Sequence, residues 1–470
     1  MKGVEGFVVL LLRIAGALLS CALALVMAAG PALSGPSGSP APGSHLLTGG
    51  GAGSTATEEP AEEPLPFDPA PPIGPALARV AALTALGRKL FNDPALSASG
   101  RMSCASCHVP AHGFGPPDSA PVRRGGPDLD RPGTRAVPSL TYVQFAPFFD
   151  EHHYEEDEGD GGLDAGPTGG RTWDGRVNRA RDQAQIPLLS PHEMANVDLE
   201  AVVAKAAAAD YAADFRALYG DTIFNDPARA FAALCEALEV YQEYPPDFGA
   251  FTSKYDAFLR GLAPLSEQER RGLAAFNDPD KGNCAHCHIS RLSARGTLPL
   301  FTDFGLAAVG LPRNNAIPAN ADPTYFDLGL CGPLRQDFSD RKEYCGFFKT
   351  PSLRNVGLRP VFFHNGVISN LRDAVAFYAD RDVNPRRWYP TNTDGTVRQF
   401  DDLPAEYHKN VNKEPPFNRG LGDAPALTEQ EITDIAAFLM TLTDGFSPTH
   451  SPAAVKRSGV DLNSTNGGIK

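Results

Sequence analysis

Two short runs of Cys and His carry the clearest chemistry in this sequence. The first is Cys104-Ala-Ser-Cys107-His108 and the second is Cys284-Ala-His-Cys287-His288. In each run, two thiols one helical turn apart can bond to the two vinyl groups of a porphyrin, and the adjacent His can bind its iron. Each run therefore predicts one covalently attached c-type haem. The alternative is a zinc site built from the two Cys pairs, which the His in each run and the long separation along the chain disfavour.

The sequence around these runs is repeated. Helical spacing from Leu77 to Phe91 leads into Phe91-Asn92-Asp93-Pro94 ahead of the first run, and Phe276-Asn277-Asp278-Pro279 stands ahead of the second. A duplicated unit of this kind indicates two similar haem domains in tandem. No segment shows the sustained two-residue alternation that is typical of strands. We therefore predict a mainly α fold of two tandem cytochrome c-like haem domains with long loops.

Composition divides the 470 residues into five segments. Residues 1–29 look like an export signal, although the same apolar run could remain as a membrane anchor. Residues 30–75 are rich in Gly, Pro, Ser and Ala, which predicts a flexible linker. Because haem attachment takes place outside the bacterial cytoplasm, we expect a periplasmic protein. The remaining segments are a first haem domain at 76–250 with an acidic, Gly-rich insertion at 150–170, a second haem domain at 251–446, and a tail at 447–470.

Capping residues predict where several helices begin. One helix is expected from Asp198 to Gly220. Others are expected to open at Asp226-Pro227 and at two capping boxes, Ser266 with Glu269 and Thr428 with Glu431. On the last helix, Met440 stands beside the apolar stripe, so we place it in the core. No other Met follows the second haem run, and we therefore expect the second haem to lack a Met ligand.

Cysteines outside the haem runs have structural explanations. Cys331 and Cys345 lie in a stretch rich in Pro and Gly, and we favour a disulfide between them over two free thiols. A disulfide agrees with an oxidising compartment. Cys235 stands on an apolar helix face, which predicts a buried small side chain.

The second axial position of each iron decides what the haems can do, because an open position admits peroxide and a filled one suits electron transfer. After the first run the next His is His112, which is too close along the chain to cross to the other haem face. The first haem is therefore predicted to be open. Splitting peroxide also requires an acid–base group, for which Glu193 is the candidate. Of the two Trp residues, only Trp173 lies between the two runs in sequence. His364 and Tyr378 are the candidates for the second axial position of the second haem.

Together these features resemble the bacterial dihaem cytochrome c peroxidase and MauG superfamily. The likeness covers about residues 80–445. In that family the N-terminal haem reacts with peroxide and the C-terminal haem supplies it with electrons. The motifs that carry the likeness are Cys104–His108, Trp173-Asp174-Gly175-Arg176, Glu193-Met194, Cys284–His288, Pro351-Ser352-Leu353-Arg354-Asn355 and Phe363-His364-Asn365-Gly366.

The resemblance implies roles for individual residues. Trp173 would lie between the haems, and Glu193, at the family's spacing from it, would be the acid–base residue. His364 would be a pocket residue near the second haem. Tyr378 stands where the peroxidases have a Met ligand and MauG has a Tyr, which implies His288 and Tyr378 as the ligands of the second iron; the alternative is a packed aromatic. A phenolate stabilises oxidised iron, whereas Met raises the potential.

The sequence also departs from the family pattern. Around Arg123-Arg124 there is no His of the kind that binds the resting iron in many peroxidases, which suggests a site that is open without reductive activation. The family binds calcium between its domains through an Asn, where this chain has Ala136. The Thr and Pro expected before His364 are replaced by Arg359 and Val361. The oxygen ligands that calcium prefers are thus partly missing, and calcium binding is doubtful.

Three functions are consistent with the sequence. The first is a peroxidase that reduces hydrogen peroxide with electrons from a small donor protein, a cytochrome c or a cupredoxin. The second is a MauG-like oxidase that modifies residues of a partner protein through a high-valent dihaem state. The third is a non-enzymatic electron carrier. A net charge of −14 argues against nucleic acid and suits basic protein partners.

Overall fold

The structure, a computed structural model, describes residues 73–153 and 164–447. The expected export signal or membrane anchor at 1–29 lies outside the described residues, as do nearly all of the linker and tail and the centre of the acidic insertion. In the part of the chain that the structure describes, no helix is long and apolar enough to cross a membrane.

Helices form most of the regular structure. Long loops and short 3₁₀ turns connect them, which confirms the mainly α fold. In chain order the helices are α1 (Ile73–Asn92), α2 (Cys104–Cys107), α3 (Ala180–Leu189), α4 (Leu199–Ala208), α5 (Ala212–Tyr219), α6 (Pro227–Gln242), α7 (Pro245–Phe248), α8 (Lys254–Leu259), α9 (Glu267–Asn277), α10 (Leu371–Asp380), α11 (Pro385–Trp388) and α12 (Glu429–Met440).

The strands are short and occur in two antiparallel pairs. β1 (Arg124–Gly125) pairs with β2 (Arg131–Pro132), and β3 (Leu306–Ala307) pairs with β4 (Phe348–Lys349). Arg124 lies opposite Pro132 in the first pair, and Leu306 lies opposite Lys349 in the second. Both pairs hold loops in place and neither forms a layer of the fold.

Two hydrophobic cores lie one after the other along the chain. The first is built within residues 83–248, where α1, α3 and α4 all pack against α6. The second is built within residues 255–442, where α9 and α10 pack against α12. The predicted domain boundaries, including the one near residue 250, remain predictions.

The helix before each haem run crosses a later helix at a glycine. Gly87 of α1 faces α6 so closely that a Cβ atom there would lie 2.0 Å from the Ala237 carbonyl oxygen. Gly272 of α9 faces α12 in the same way, at 2.0 Å from the Asp434 carbonyl oxygen. Each glycine stands four residues before the Phe of its Phe-Asn-Asp-Pro sequence. The repeat in sequence is thus also a repeat of one helix crossing.

Most capping predictions are confirmed. The Asp198 side chain accepts from the Ala201 amide and the Asp226 side chain from the Arg229 amide. The capping boxes at Ser266 and Thr428 are both present.

The single helix predicted from Asp198 to Gly220 is wrong, because the chain breaks between α4 and α5. Tyr211 at the break is buried, and its hydroxyl donates to Asp93 Oδ2 at 2.5 Å. This distant contact turns the side chain inward and ends α4 early.

Met440 is not in the core, contrary to the prediction, because 52% of its surface is exposed. The buried stripe of α12 includes Leu439, and the next residue of an α-helix is rotated by about 100° away from that stripe. Met440 is also absent from the walls of the cavity described below. The expectation that it does not bind the second haem is therefore consistent with its position.

The predictions for the remaining cysteines are confirmed. Cys331 and Cys345 form a disulfide, and Cys235 is buried in the first core.

A buried ion network joins residues that are distant in sequence. The Arg135 guanidinium contacts Asp174 at 2.7 Å and Asp327 at 2.6 and 2.8 Å. Arg176 also contacts Asp174 at 2.9 Å, and Arg335 donates to the Asp174 carbonyl oxygen. Since Arg135 belongs to the first half of the chain and Asp327 to the second, this network ties the two halves together.

Candidate functional site

One large cavity of about 650 Å³ collects residues from both haem runs. Its walls include Cys107 and His108 from the first run and Cys284, Cys287 and His288 from the second. The first run forms α2, and the second begins with a 3₁₀ turn at Cys284–His286. Tight turns of this kind bring the two Cys of each run to one side, as attachment to a single porphyrin requires.

The two predicted iron ligands are held in the same way. His108 Nδ1 donates to the Phe114 carbonyl oxygen at 3.0 Å, and His288 Nδ1 donates to the Phe301 carbonyl oxygen at 2.9 Å. A carbonyl can only accept, so the proton stays on Nδ1 and Nε2 is left free to bind a metal. Burial lowers the pKa of His108 to about 4 and also lowers that of His288. Both imidazoles are therefore neutral and suited to iron.

The haem-run cysteines are unpaired and half-buried. Burial raises the pKa of Cys104 to about 12 and that of Cys107 to about 11. It raises the pKa of both Cys284 and Cys287 to about 12. Among the described residues no three His, Cys, Asp or Glu side chains are grouped closely enough to hold a metal ion.

Glu193 lies in the cavity wall on the side of the first haem run. The negative charge of Glu193 contributes to the raised pKa values of Cys104 and Cys107. Although Glu193 is exposed by surface area, the protein atoms around its carboxyl displace water from it and raise its pKa, an effect that Ser190 and Arg176 partly offset. The Glu193 backbone is fixed by the Gly126 amide, which donates to its carbonyl oxygen at 2.8 Å.

Trp173 also lines the cavity and is buried. Its indole Nε1 donates to the Ala136 carbonyl oxygen at 2.8 Å. The Ala136 amide donates to the His364 carbonyl oxygen at 2.7 Å, and the Lys349 amide donates to the Trp173 carbonyl oxygen at 2.8 Å. Backbone contacts therefore tie Trp173 to segments from both halves of the chain.

His364 is buried in the same cavity wall. Its ring stacks on Phe348 with the ring centroids 3.4 Å apart. Its Nε2 atom has no hydrogen-bond partner among the described residues and lies 3.6 Å from Asp402 Oδ2. The structure thus brings His364 to the site and leaves one of its ring nitrogens available.

Tyr378, from α10, lines the cavity beside the second haem run. Its ring stacks on Phe417 with the centroids 5.3 Å apart. Burial raises its pKa, and the thiols of Cys287 and Cys284 are the next largest influences, which places the phenol near both attachment points. Its position is compatible with the predicted role as an iron ligand, and that role stays a prediction.

A guanidinium lies where the family pattern suggested calcium ligands. Arg359 donates to the Val361 carbonyl oxygen at 3.3 Å and to the Val137 carbonyl oxygen at 3.1 Å. Burial lowers the pKa of Arg359 to about 10. Two backbone oxygens near Ala136 are thus already in contact with a positive charge. Calcium binding itself remains a prediction that these contacts do not test.

Comparisons with known proteins identify the family of the chain. A family model described as di-haem cytochrome c peroxidase matches residues 81–263. The methylamine utilization protein MauG of Paracoccus denitrificans is 33% identical over 376 residues, which are 77% of this chain and 89% of that protein.

The chain belongs to the dihaem cytochrome c peroxidase and MauG family.

Two further similar proteins are peroxidases. The cytochrome c551 peroxidase of Pseudomonas aeruginosa is 28% identical over 62% of this chain and 70% of its own. The crystal structure of the dihaem peroxidase BthA from Burkholderia thailandensis matches with a TM-score of 0.69 and 40% identity, covering 77% of this chain and 86% of that one. As a member of this family the chain is an enzyme of the dihaem peroxidase and MauG kind, and the family implies two c-type haems.

The residues of the cavity fit such haems. Each attachment run contains two thiols and a neutral imidazole whose Nδ1 donates to a backbone carbonyl. Both runs contribute residues to the wall of the same cavity, Cys107 and His108 from the first and Cys284, Cys287 and His288 from the second. Sequence reasoning missed the carbonyls of Phe114 and Phe301 that orient the imidazoles. It also missed two buried cations in the cavity wall, Arg171 and Lys349. The sequence offers one signal for these two residues, which is that Arg171 stands next to the Trp173-Asp174-Gly175-Arg176 motif.

Proposed function

We propose that this dihaem enzyme reacts with hydrogen peroxide at its N-terminal haem, held by Cys104, Cys107 and His108. The C-terminal haem, held by Cys284, Cys287 and His288, would supply the electrons. The observation that carries the proposal is the Glu193 carboxyl in the cavity wall beside the first haem run, with a pKa that burial raises.

The irons would supply the redox chemistry, and the chain would supply the proton transfers. The Glu193 carboxylate can accept a proton from one oxygen of hydrogen peroxide and return it to the other oxygen, which then leaves as water. A carboxyl whose pKa is raised above its ordinary value exchanges a proton more readily at physiological pH than an ordinary Glu. Glu193 is therefore suited to both transfers.

Peroxide needs an open position on the first iron. His112, the first His after the haem run, donates from Nδ1 to the Pro116 carbonyl oxygen at 2.8 Å and is absent from the cavity wall. His192 does line the cavity, and its Nδ1 donates to the Pro132 carbonyl oxygen at 2.9 Å. The position of His112 supports an open first haem. The Nε2 atom of His192 is free by the same reasoning as for His108, so binding of His192 to the first iron is the alternative that the spectroscopy below tests.

Electrons would pass between the haems by way of Trp173. The indole lines the cavity that both haem runs share, and its hydrogen bonds hold it between segments of the two halves. His364 would act as a pocket residue near the second haem, and Tyr378 would bind the second iron opposite His288. The reductant would be a small basic cytochrome c or a cupredoxin, because the chain carries a net charge of −14.

The test combines spectroscopy with rapid kinetics. Electron paramagnetic resonance of the oxidised holoprotein is expected to show one high-spin and one low-spin iron. Glu193→Gln is expected to slow the reaction with peroxide by about 10²–10⁴-fold, the usual loss when a general acid–base group is removed. Glu243→Gln is the matched control, because Glu243 also has a raised pKa but is absent from the cavity wall.

Two low-spin irons together with an unchanged rate in Glu193→Gln would contradict the proposal. They would instead favour the third function, a plain electron carrier with both axial positions filled.

A MauG-like oxidase is the second candidate, and the position of Tyr378 favours it. A phenolate ligand stabilises oxidised iron and makes the second haem a poor electron acceptor, which suits storage of oxidising equivalents for use on a partner protein. Steady-state turnover of peroxide with a reduced c-type cytochrome separates the two candidates. Fast turnover supports the peroxidase, whereas consumption of peroxide without oxidation of the cytochrome supports the oxidase.

We also propose that the protein works in the periplasm. Covalent haem attachment takes place outside the bacterial cytoplasm, and the disulfide between Cys331 and Cys345 agrees with an oxidising compartment. Fractionation of cells that produce the full chain would test this: haem-containing protein confined to the cytoplasm would contradict it.

A further inference from the structure

Two buried cations lie together in the cavity wall. Arg171 and Lys349 each expose only 8% of their surface, and both line the cavity. Arg171 stands two residues before Trp173, and the Lys349 amide donates to the Trp173 carbonyl oxygen at 2.8 Å. Both cations therefore lie on the side of the cavity that carries Trp173.

Neither side chain has a hydrogen-bond or ion-pair partner among residues 73–153 and 164–447. The carboxylates that most influence Lys349 are Asp174 and Asp303. Asp174 is already in contact with Arg135 and Arg176, and Asp303 accepts from the Gly305 amide at 2.8 Å.

The lowered pKa values of Lys349 and Arg171 show that burial disfavours the charged form of both side chains. Burial lowers the pKa of Lys349 to about 8, and the charge of Arg171 is the second largest cause. Burial also lowers the pKa of Arg171, which Glu243 and Glu239 offset only in part. Two like charges in a buried wall are unfavourable unless an anion lies between them. Arg359 is a half-buried cation of the same wall with no carboxylate partner among the described residues, and it differs because it donates to two carbonyl oxygens.

The cavity itself suggests the source of that anion. A c-type haem carries two propionate carboxylates in addition to its thioether bonds and its iron, and both haem runs face this cavity. A carboxylate is also the anion for which Arg and Lys are the usual partners. We propose that Arg171 and Lys349 bind a propionate of one of the two haems beside Trp173. This inference rests on the dihaem content of the family and not on the proposed reaction with peroxide.

The test is a spectroelectrochemical titration of the holoprotein without peroxide. A cation next to a haem favours its reduced form, because reduction lowers the net charge at the haem. Lys349→Met and Arg171→Gln are therefore each expected to shift the midpoint potential of the same single haem to a lower value. Lys349→Arg and Arg171→Lys, which keep the charge, are expected to stay close to the wild-type potential.

A matched control removes the charge of an exposed side chain. Arg295→Gln eliminates an exposed cation shortly after the second haem run, and it is expected to leave both midpoint potentials unchanged. If Lys349→Met fails to acquire two haems per chain, full haem loading of Lys349→Arg supports the proposal, whereas equal loss in both variants contradicts it.

Two results would overturn the assignment. One is midpoint potentials that do not change in either Lys349→Met or Arg171→Gln. The other is a wild-type midpoint potential that shifts when chloride replaces a bulky anion at constant ionic strength, with no shift in Lys349→Met. That second result would show that the two cations hold a small diffusible anion and not a propionate.

Discussion

Glu193 gives the proposed reaction a characteristic dependence on pH. Burial raises the pKa of its carboxyl, while Ser190, Arg176 and His192 act in the opposite direction with smaller effects. The carboxylate form must accept the first proton from peroxide, so protonation of Glu193 stops the reaction. Because the pKa is raised, that protonation occurs at a higher pH than for an ordinary Glu.

We therefore expect the rate constant for peroxide to fall as the pH decreases, with a midpoint above the ordinary Glu value of about 4.3. Stopped-flow measurements between about pH 4 and 8 would show this acidic limb. In Glu193→Gln the limb should be absent at any remaining rate. A limb that persists unchanged in Glu193→Gln would assign the titration to another group.

Single residues differ in how far the sequence reveals them. Cys104, Cys107 and His108 are local in sequence, so their chemistry could be predicted without a fold. Lys349 could not be found in this way, because its significance depends on a backbone contact with Trp173 from the other half of the chain. Adjacency to the apolar stripe predicts a core position for Met440, but the next residue along a helix lies on a different face.

Among the elements, the crossing of α1 with α6 depends on a glycine that faces the partner helix. A methyl group at Gly87 would meet the backbone of Ala237, which cannot move aside as a flexible side chain could. We expect Gly87→Ala to lower the free energy of unfolding by about 1–3 kcal/mol, the usual cost of an overpacked core. Chemical denaturation of the holoprotein would measure it.

Gly74 provides the control on the same helix, because nothing lies within 4 Å of a Cβ atom there. Gly74→Ala is expected to leave stability unchanged or to raise it by about 0.5–1 kcal/mol through better helix propensity. Equal effects of the two substitutions would show that the close crossing contributes nothing to stability.

Element ends were predictable where the signal is local. The boxes at Ser266 and Thr428 use a side chain and a backbone amide three residues apart, so the sequence contains the whole interaction. The break between α4 and α5 was not predictable, because it depends on Tyr211 reaching Asp93 across more than a hundred residues. Local propensity alone favours a continuous helix there.

At the scale of the whole molecule, Arg135 links the two halves of the chain. Its guanidinium contacts Asp327 through two hydrogen bonds, and both side chains expose only 8% of their surface. Asp327→Asn removes the negative charge but keeps the shape, leaving Arg135 with Asp174 alone. We expect a loss of about 3 kcal/mol in the free energy of unfolding, as for other broken buried ion pairs.

Asp214→Asn is the control for this substitution, because Asp214 pairs with Lys89 in an exposed position. Little change in stability is expected there, since exposed ion pairs contribute little. If Asp327→Asn proved as mild as Asp214→Asn, the network would not be what holds the halves together.

The tandem arrangement of the molecule was predictable from the repeated sequence, whereas the meeting of both haem runs at one cavity was not. Repetition predicts similar units but contains nothing about how they face one another. Contacts such as that between Arg135 and Asp327 decide this, and they join positions without any sequence pattern in common.

The hydrogen bond from Trp173 to the Ala136 carbonyl has a consequence for how charge would cross the molecule. A backbone carbonyl is too weak a base to remove the indole proton. An indole that gives up an electron in this setting would keep its N–H and become a cation, so its recovery of an electron requires no proton to return. Transfer between the haems should then be insensitive to replacement of H₂O by D₂O, and it should keep the same rate across the pH range in which the fold is intact.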